Sequence, residues 1–318
     1  MKLLSIVVPV YNEESNLSIF YDRLNKSLES IGYGYEVIFV DDGSGDDSIT
    51  VMKDLRDQDS RVRIISFSRN FGHQIALTAG IDKASGDAVI VMDADLQHPP
   101  EIIKDLISRW EDGYDVVYTI RKDTEGAGLF KKATSAFFYK VLSKISRIDV
   151  SPGIADFRLM DKKVIRSFRT IRERSRFIRG LVKWVGFKQI GVEYVAPARY
   201  SGNSKYSIRK MMRLAVDGIT SFSWFPLQVA TYFGLLVSFF SFAYTLYAIF
   251  IRLFTSKAVP GWSSLLIAVT FIGGVQLVFL GIIGEYIGRI FEEVKGRPIY
   301  IVNEAIGFAE NVLNKVEA

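Results

Sequence analysis

Short apolar runs alternate with amphipathic stretches over the first third of the chain. Four of these runs have the length and β-branched content of buried strands: Leu3 to Val10, Tyr35 to Val40, Val62 to Phe67 and Ala88 to Met92. Stretches with helical periodicity separate them, at 17–31, 48–58 and 72–84. Strands that alternate with helices in this way predict an α/β fold with a mostly parallel, Rossmann-like sheet and helices on its faces.

Two long runs in the last third of the chain carry no charged residue. They cover Trp224 to Ile251 and Ser263 to Gly284, and each exceeds the roughly 20 apolar residues that span a bilayer. We therefore predict transmembrane helices over 225–251 and 263–287. Lysines and arginines cluster before the first span and after the second, whereas the segment between them holds only Arg252 and Lys257. By the positive-inside rule, the large N-terminal part and the C-terminal end both face the cytoplasm.

The pattern divides the chain into four parts. Residues 1–205 form an α/β domain, 206–223 a juxtamembrane amphipathic helix, 224–291 a two-helix transmembrane domain and 292–318 a cytoplasmic tail. Within the first part, 129–148 is amphipathic, with phenylalanines on its apolar face and lysines around it. A helix of this kind is suited to the membrane interface, where lysines reach lipid phosphates. An ordinary sheet-packing helix is the other interpretation.

The amino-acid composition excludes several kinds of site and favours an anionic partner. None of the 318 residues is a cysteine, which excludes disulfides, thiolate metal sites and cysteine catalysis. The formal net charge of +5 fits a protein that lies against an anionic membrane surface. The basic segment 166–184 would by itself also suit nucleic acid. Its position ahead of the two spans favours anionic lipid or pyrophosphate instead, with most of its arginines on a solvated or membrane-facing surface.

Carboxylates follow three of the predicted strands. They are Glu13, Asp41, Asp42, Asp93 and Asp95. The carboxyl ends of parallel strands meet at one edge of the sheet, and ligands of open α/β sheets bind at that edge. Alternation along the chain points Asp93 and Asp95 the same way, and Gln97 adds an amide oxygen. These hard oxygens suit Mg²⁺ or Mn²⁺ carrying a diphosphate better than zinc, whereas a capped turn is the plainer interpretation.

The loops at this edge do not match a dinucleotide-binding fold. Such a fold places Gly-x-Gly-x-x-Gly after its first strand, where this chain has Tyr11-Asn12-Glu13. The turn Gly43-Ser44-Gly45 has Ser48 at the third glycine position and is acidic, so it would repel a pyrophosphate. Carboxylates at these positions suit a base edge, ribose hydroxyls or a metal that itself carries the phosphates.

Taken together, these motifs resemble a known family. The segments are Ile6-Val7-Val8-Pro9-Val10-Tyr11-Asn12-Glu13, Val40-Asp41-Asp42-Gly43-Ser44, Ser68-Arg69-Asn70-Phe71-Gly72-His73-Gln74 and Asp93-Ala94-Asp95-Leu96-Gln97-His98-Pro99-Pro100. With the two spans, they are similar to the inverting family 2 glycosyltransferases of GT-A fold. Within that family they resemble the dolichol- and polyprenyl-phosphate sugar synthases, and most of all the bacterial and phage bactoprenol glucosyltransferases. The resemblance covers essentially the whole chain.

The resemblance implies a nucleotide-sugar site at this edge. Its residues would be Pro9, Tyr11, Glu13, Asp41, Asp42, Ser44, His73, Gln74, Asp93 and Ala94, together with a loop that bears Arg199, Ser204 and Lys205. The implied ligands of Mg²⁺ or Mn²⁺ are Asp93, Asp95 and Gln97. Asp95 is counted among the catalytic residues because the metal would neutralise the leaving diphosphate.

The resemblance also implies an acceptor side. Arg121, Lys131 and Ser135 would bind the phosphate of the lipid. Asp156 would act as the catalytic base or would position the acceptor, because a lipid phosphate is already largely ionised near neutral pH. The alternative for Asp156 is an ion pair with Arg158 or Lys162 that has only a structural role.

The expected function is transfer of a hexose to a polyprenyl (undecaprenyl) phosphate at the cytoplasmic face of a bacterial inner membrane. The resemblance implies that the hexose is glucose from UDP-glucose. GDP-mannose or a UDP-aminosugar as donor would keep the same mechanism. A translocator of lipid-linked sugars, or a scaffold, is the alternative from another class. Glycines recur in the second span at near-helical spacing and permit close helix contact, so we expect a homo-oligomer and no nucleic-acid partner.

Overall fold

The computed structural model describes residues 2–122, 153–174, 176–195, 223, 225–254 and 261–308. The predicted interfacial helix at 129–148 lies outside the described residues, as does the juxtamembrane segment apart from Ser223. The same is true of five predicted site residues: Lys131, Ser135, Arg199, Ser204 and Lys205. The chain divides into two compact units, and the described residues up to 195 belong to the first together with 297–308.

The first unit contains a single mixed sheet among its described residues. Its strands are β1 Leu3–Val10, β2 Gly34–Asp41, β3 Val62–Phe67, β4 Ala88–Val91, β5 Val116–Lys122, β6 Ile154–Asp161, β7 Gln189–Val195 and β8 Val302–Ile306. Its helices are α1 Glu14–Glu29, α2 Ser48–Gln58, α3 His73–Lys83, α4 Ile103–Glu111, α5 Lys162–Thr170 and α6 Ile178–Trp184, with a 3₁₀ turn at Pro100–Ile102.

The strand order is β7-β5-β6-β4-β1-β2-β3-β8. Strand β1 pairs in parallel with both β2 and β4, and β2 pairs in parallel with β3. Strands β6 and β8 run antiparallel to their neighbours, and β5 pairs in parallel with β7. The predicted α/β class with a mostly parallel sheet is confirmed.

Apolar residues buried on both faces of the sheet explain why these segments fold as strands. Every residue of β1 after Leu3 is buried, as expected for a central strand covered by helices on both sides. Helix α1 buries one stripe of apolar residues, among them Leu17, Phe20 and Leu24, and the ring of Phe20 lies 6.4 Å from that of Phe39 on β2. The helix therefore covers the face of the sheet beside β1 and β2.

The second unit contains the two long apolar helices, α7 Phe225–Phe254 and α8 Trp262–Val294. Each holds a window long and apolar enough to cross a bilayer, Phe225–Tyr244 and Phe271–Val294, and neither window is buried in the protein. Near the end of α8, Arg289 pairs with Glu285 at 3.1 Å. Helices therefore form where the sequence predicts two membrane spans.

The segment after α8 returns to the sheet of the first unit. The sequence analysis assigned it to a cytoplasmic tail, and the structure shows that 302–306 forms β8 against β3. Tyr300 stacks on Phe67 with ring centroids 5.2 Å apart, and its hydroxyl donates to Asp82 Oδ2 at 3.3 Å. The backbone carbonyl of Ile301 accepts a hydrogen bond from Ser68. The chain on either side of the two long helices thus contributes to one sheet.

Tyr300→Ala should destabilise the first unit by about 3 kcal/mol or more, because it removes a buried aromatic side chain from the edge of the sheet. Tyr300→Phe, which keeps the ring and loses only the bond to Asp82, should cost about 1 kcal/mol. Thermal unfolding in detergent measures both. Ile301→Ala is the matched control, since its side chain is 55% exposed. Equal effects of Tyr300→Ala and Ile301→Ala would contradict a structural role for this segment.

Candidate active site

The predicted acidic residues meet at the carboxyl edge of the sheet. The register of β1 aligns Val10 with Asp41 of β2 and Val7 with Val91 of β4. The residues that follow these strands therefore lie side by side. Tyr11, at the end of β1, remains 45% exposed at this edge, whereas Pro9 is buried within the strand.

The loops after β1 and β2 are joined by short hydrogen bonds. The backbone N–H of Asn12 donates to Ser44 Oγ at 3.1 Å, and the side chain of Asn12 accepts from Gly45 N at 2.8 Å. Glu13 N donates to Ser48 Oγ at 2.9 Å. Asn12 has a φ of 56°, a left-handed conformation that asparagine tolerates better than most residues.

Asp41 and Asp42 hold neighbouring loops in place. Asp41 accepts hydrogen bonds from Ser44 N at 3.0 Å and from Ser66 Oγ at 2.8 Å. Asp42 accepts the backbone N–H groups of Phe71 at 2.7 Å and of Gly72 at 3.0 Å, directly before α3. Burial raises the pKa of Asp42, while these two backbone bonds act in the opposite direction. The structure thus gives both carboxylates partners within the protein.

Asp93 lies between two histidines. His73 Nε2, at the start of α3, is 2.8 Å from Asp93 Oδ1. Burial alone would lower the pKa of His73, but the Asp93 carboxylate more than offsets this and raises it to about 9. His98 Nδ1 accepts the backbone N–H of Asp93 at 2.9 Å. Because this nitrogen is an acceptor, it makes no ion pair with Asp93 Oδ2, which lies 3.6 Å away.

The loop after Asp93 contains a residue other than glycine in a left-handed backbone conformation. Leu96 is buried and has a φ of 62°, a strained conformation for a residue other than glycine. The turn lets Asp95 Oδ1 accept from Gln97 N at 3.1 Å. The buried ring of His98 stacks on Phe157 of β6, with centroids 5.3 Å apart. This packing fixes the loop that carries both aspartates.

Asp156 is a buried carboxylate paired with two arginines. It lies on β6, whose ladder with β4 aligns Arg158 with Val91 and so brings β6 beside Asp93. Arg179 of α6 binds Asp156 through two parallel bonds, Nε to Oδ1 and Nη2 to Oδ2, each 2.8 Å long. Arg158 Nη2 lies 3.6 Å from Asp156 Oδ1. Burial would raise the pKa of Asp156, but the Arg179 guanidinium holds it far below its usual range.

Gln74 connects α3 with α6. Its Oε1 accepts the backbone N–H of Ile178 at 2.9 Å, which places its Nε2 toward His73 Nδ1 at 3.3 Å. Together with the His73–Asp93 and Arg179–Asp156 pairs, this contact closes a ring from β4 through α3 and α6 to β6. We call these residues the site ring: Asp93, His73, Gln74, Ile178, Arg179 and Asp156.

The donor atoms near Asp95 fit a hard divalent cation. Asp93 and Asp95 are carboxylates at the open edge, each partly exposed, and Gln97 adds an amide oxygen that lies 3.3 Å from Arg121 Nη1. Among the described residues there is no group of three or more His, Cys, Asp or Glu side chains that could hold a metal. A cation there would have to complete its shell with phosphate oxygens and water, as Mg²⁺ commonly does.

Sequence reasoning missed two residues of this site, His98 and Arg179, and named Arg158 only as a structural ion-pair partner of Asp156. His98 stands inside a motif that drew attention only for its carboxylates. Arg179 belongs to the basic segment that was expected to form a surface, yet five of the arginines in that segment form bonds within the protein. Three donate to backbone carbonyls: Arg169 to Ile81, Arg174 to Arg297 and Arg176 to Ile171. The other two pair with aspartates, Arg172 with Asp82 and Arg179 with Asp156.

Comparison with known proteins gives a consistent picture. The family model described as Glycosyl transferase family 2 matches residues 5–169. The "Uncharacterized glycosyltransferase YkcC" of Bacillus subtilis is 49% identical over 303 residues, which cover 95% of this chain and 94% of that protein. The "SfII prophage-derived bactoprenol glucosyl transferase" of Shigella flexneri is 44% identical over 302 residues, covering 95% and 98%.

Solved structures share the fold at low sequence identity. Glucosyl-3-phosphoglycerate synthase from Mycobacterium tuberculosis, in complex with Mn²⁺, UDP and phosphoglyceric acid, has a TM-score of 0.51 at 17% identity and covers 69% of this chain and 76% of its own. Mannosyl-3-phosphoglycerate synthase from Rubrobacter xylanophilus has a TM-score of 0.50 at 16% identity, covering 68% and 71%. At 16% and 17% sequence identity, these two structures show a shared fold and nothing further about this chain.

Gly43→Ala should disturb the site loops, because Gly43 has a φ of +69° and an added Cβ would lie 2.6 Å from the backbone carbon of Arg69. We expect a loss of stability of about 1 kcal/mol or more, measured by thermal unfolding, and a displaced loop before α3. Gly45→Ala is the matched control in the same turn, since nothing in the described part of the chain lies within 4 Å of its added Cβ. Equal effects of the two substitutions would show that Gly43 is not constrained.

Proposed function

Since the chain belongs to glycosyl transferase family 2, we propose that it transfers a hexose, glucose from UDP-glucose, to the phosphate of a polyprenyl phosphate with inversion at the anomeric carbon. The observation that carries the proposal is the arrangement at one sheet edge of Asp93, Asp95 and the arginine-paired Asp156. The name of the Shigella flexneri relative, a bactoprenol glucosyl transferase, supports glucose and a lipid carrier.

The donor side of the site would lie at the ends of β1 and β2. Tyr11 offers an exposed ring to the nucleotide base, and Glu13, Asp41, Asp42 and Ser44 line the joined loops beside it. Pro9 and Ala94 are buried beneath these loops and would support the nucleotide site from inside the sheet. The M. tuberculosis synthase of the same fold binds UDP and Mn²⁺, which supports a nucleotide diphosphate with a divalent metal here.

Asp93, Asp95 and Gln97 would hold Mg²⁺ or Mn²⁺. When bound, the metal would neutralise charge on the leaving diphosphate. In the transfer, an acceptor phosphate oxygen forms a bond to the anomeric carbon while the bond from that carbon to the donor diphosphate breaks, and UDP leaves with the electron pair. The acceptor phosphate is already ionised, so no proton has to be removed. Arg121, exposed at the end of β5, would bind that phosphate, and Lys131 and Ser135 are proposed to act with it.

The two apolar helices are proposed to anchor the enzyme in the bacterial inner membrane. Because β8 belongs to the same sheet as β1 to β7, two membrane spans would begin and end on the same side of the membrane, the side of the sheet. The distribution of lysine and arginine makes that side the cytoplasm. Among the described residues, an added Cβ would meet nothing within 4 Å at Gly273, Gly281 or Gly288 of α8, which supports the proposal that these glycines pack against a second copy of the chain.

The test of this function is transfer of radiolabelled sugar into organic-extractable lipid by purified protein with polyprenyl phosphate. UDP-glucose, GDP-mannose and UDP-aminosugars are compared, each with Mg²⁺, Mn²⁺ or EDTA. We expect label from UDP-glucose that disappears with EDTA. Label from another donor would keep the mechanism and replace the sugar, whereas no label from any donor would favour a translocator or scaffold.

Asp95→Asn tests the proposed metal site, because it keeps the shape of the side chain and removes the charge proposed to bind the metal. It should lose about 10²-fold or more of the activity. Asp105→Asn, on the exposed face of α4, is the control and should transfer sugar as the wild type does. Full activity of Asp95→Asn would show that the metal assignment is wrong.

The absence of cysteine makes membrane topology directly testable. In intact cells, Lys257→Cys, between the spans, should react with a membrane-impermeant maleimide. Lys104→Cys, exposed on α4, should react only after the membrane is permeabilised. The opposite labelling pattern would place the sheet outside the cytoplasm and remove its access to nucleotide sugars.

A further inference from the structure

We propose that Arg179, oriented by Asp156, is a phosphate-binding residue of the transfer site. The proposal rests on the proposed function for the identity of the ligand, which is either the phosphate of the acceptor or the diphosphate of the donor. It gives Asp156 a specific task, since the carboxylate would hold a cation in position and would not accept a proton.

The exposure of the three paired side chains sets the order in which a ligand meets them. Arg158 is 3% exposed and Asp156 is 9% exposed, whereas Arg179 is 32% exposed. The guanidinium of Arg179 therefore lies on the open side of the carboxylate. A ligand that approaches from solvent meets Arg179 first. The Asp156 carboxylate accepts from Nε and Nη2, on one side of the planar guanidinium.

The position of Arg179 is fixed from two directions. Its guanidinium is bound at both ends by the carboxylate of Asp156, on a strand inside the sheet. Its neighbour Ile178 donates its backbone N–H to Gln74, at the start of α3. A long side chain held in this way has little rotamer freedom left to lose when it binds an anion. The geometry is that of a pre-organised anion site.

The carboxylates and the substrate phosphates at this sheet edge are all negative, so a cationic side chain beside them favours phosphate binding. Asp93 and Asp95 stand on the neighbouring strand end, and both proposed substrates carry phosphate. Arg158 and Arg179 together outweigh Asp156 by one positive charge, so the group as a whole attracts an anion. His73 binds Asp93, its neighbour Gln74 binds Ile178 beside Arg179, and β6 pairs with β4, so the arginine pair lies beside the carboxylates proposed to hold the metal.

A catalytic base is the competing role for Asp156, and the structure argues against it. A carboxylate that already accepts two short bonds from a guanidinium, with a second guanidinium nearby, is a poor proton acceptor. The two roles predict different kinetics. A base affects kcat, whereas a residue that orients a phosphate-binding arginine affects the binding of the phosphate.

The experiment compares Arg179→Gln, Arg179→Lys, Asp156→Asn and the double variant Arg179→Gln/Asp156→Asn with the wild type. Calorimetry measures binding of two probes separately, UDP with Mn²⁺ and a polyprenyl phosphate in detergent, and turnover assays give KM and kcat. We expect Arg179→Gln to weaken binding of one probe by roughly 10- to 100-fold, the loss of a charge-assisted contact. Asp156→Asn should act in the same direction, and the double variant should be no worse than Arg179→Gln.

Arg172→Gln is the matched control. Arg172 lies in the same basic segment and also pairs with an aspartate, Asp82, at 2.7 Å, but its side chain is 54% exposed and outside the site ring. It should bind both probes as the wild type does. Circular dichroism checks folding, and Arg179→Lys, which keeps the charge, supplies a second variant with intermediate affinity.

The binding and turnover measurements distinguish the donor diphosphate from the acceptor phosphate, and a phosphate-binding role from a catalytic base. Weaker binding of UDP alone assigns Arg179 to the donor diphosphate, and weaker binding of the lipid alone assigns it to the acceptor. Unchanged affinity for both probes, with only kcat reduced, would overturn the proposal, as would failure of the wild type to bind either probe. Binding is measured without turnover, so a wild type that binds the probes but transfers no sugar would count against the proposed function alone.

Discussion

The site depends on the parallel pairing of one buried strand with both of its neighbours. β1 lies between β2 and β4, and its residues after Leu3 are all buried. Both faces of β1 are covered, so a slip of one residue in the register would exchange the side chains that pack on its two faces and disrupt the packing on each. That register places the ends of three strands side by side, which brings Tyr11, Asp42 and Asp93 to one edge although they are far apart in sequence.

Bringing so many carboxylates together has an electrostatic cost, and the structure offsets it with specific partners. Asp42 is held by backbone N–H groups, Asp93 by His73, and Asp156 by Arg179 and Arg158. Asp95 receives one backbone hydrogen bond, from Gln97, and no other bond to it occurs within the described part of the chain. The carboxylate with the fewest protein partners is therefore the one best able to take a metal ion.

The sequence predicts local features well and long-range partners poorly. The four early strands follow from runs of apolar residues, and the second helix begins and ends at Ser48 and Gln58 as its periodicity predicts. β8 was missed because its five residues include Asn303 and Glu304, so it carries no alternating pattern of its own and forms only against the edge of β3. Of the two arginines paired with Asp156, Arg179 was missed, because spacing along the chain does not show which of the seven cations in the basic segment 166–184 faces a given carboxylate.

The strand order also explains how one edge can serve two anionic substrates. β1 and β2 lie on one side of β4, and β6 and β5 lie on the other. Under the proposed function, the nucleotide would lie beside Tyr11 and Asp41, while the acceptor phosphate would lie beside Arg121 and Arg179. Asp93 and Asp95 stand between them, after β4. Displacement with inversion requires the attacking and leaving oxygens on opposite sides of the anomeric carbon, and a sugar held above the end of β4 would have them there.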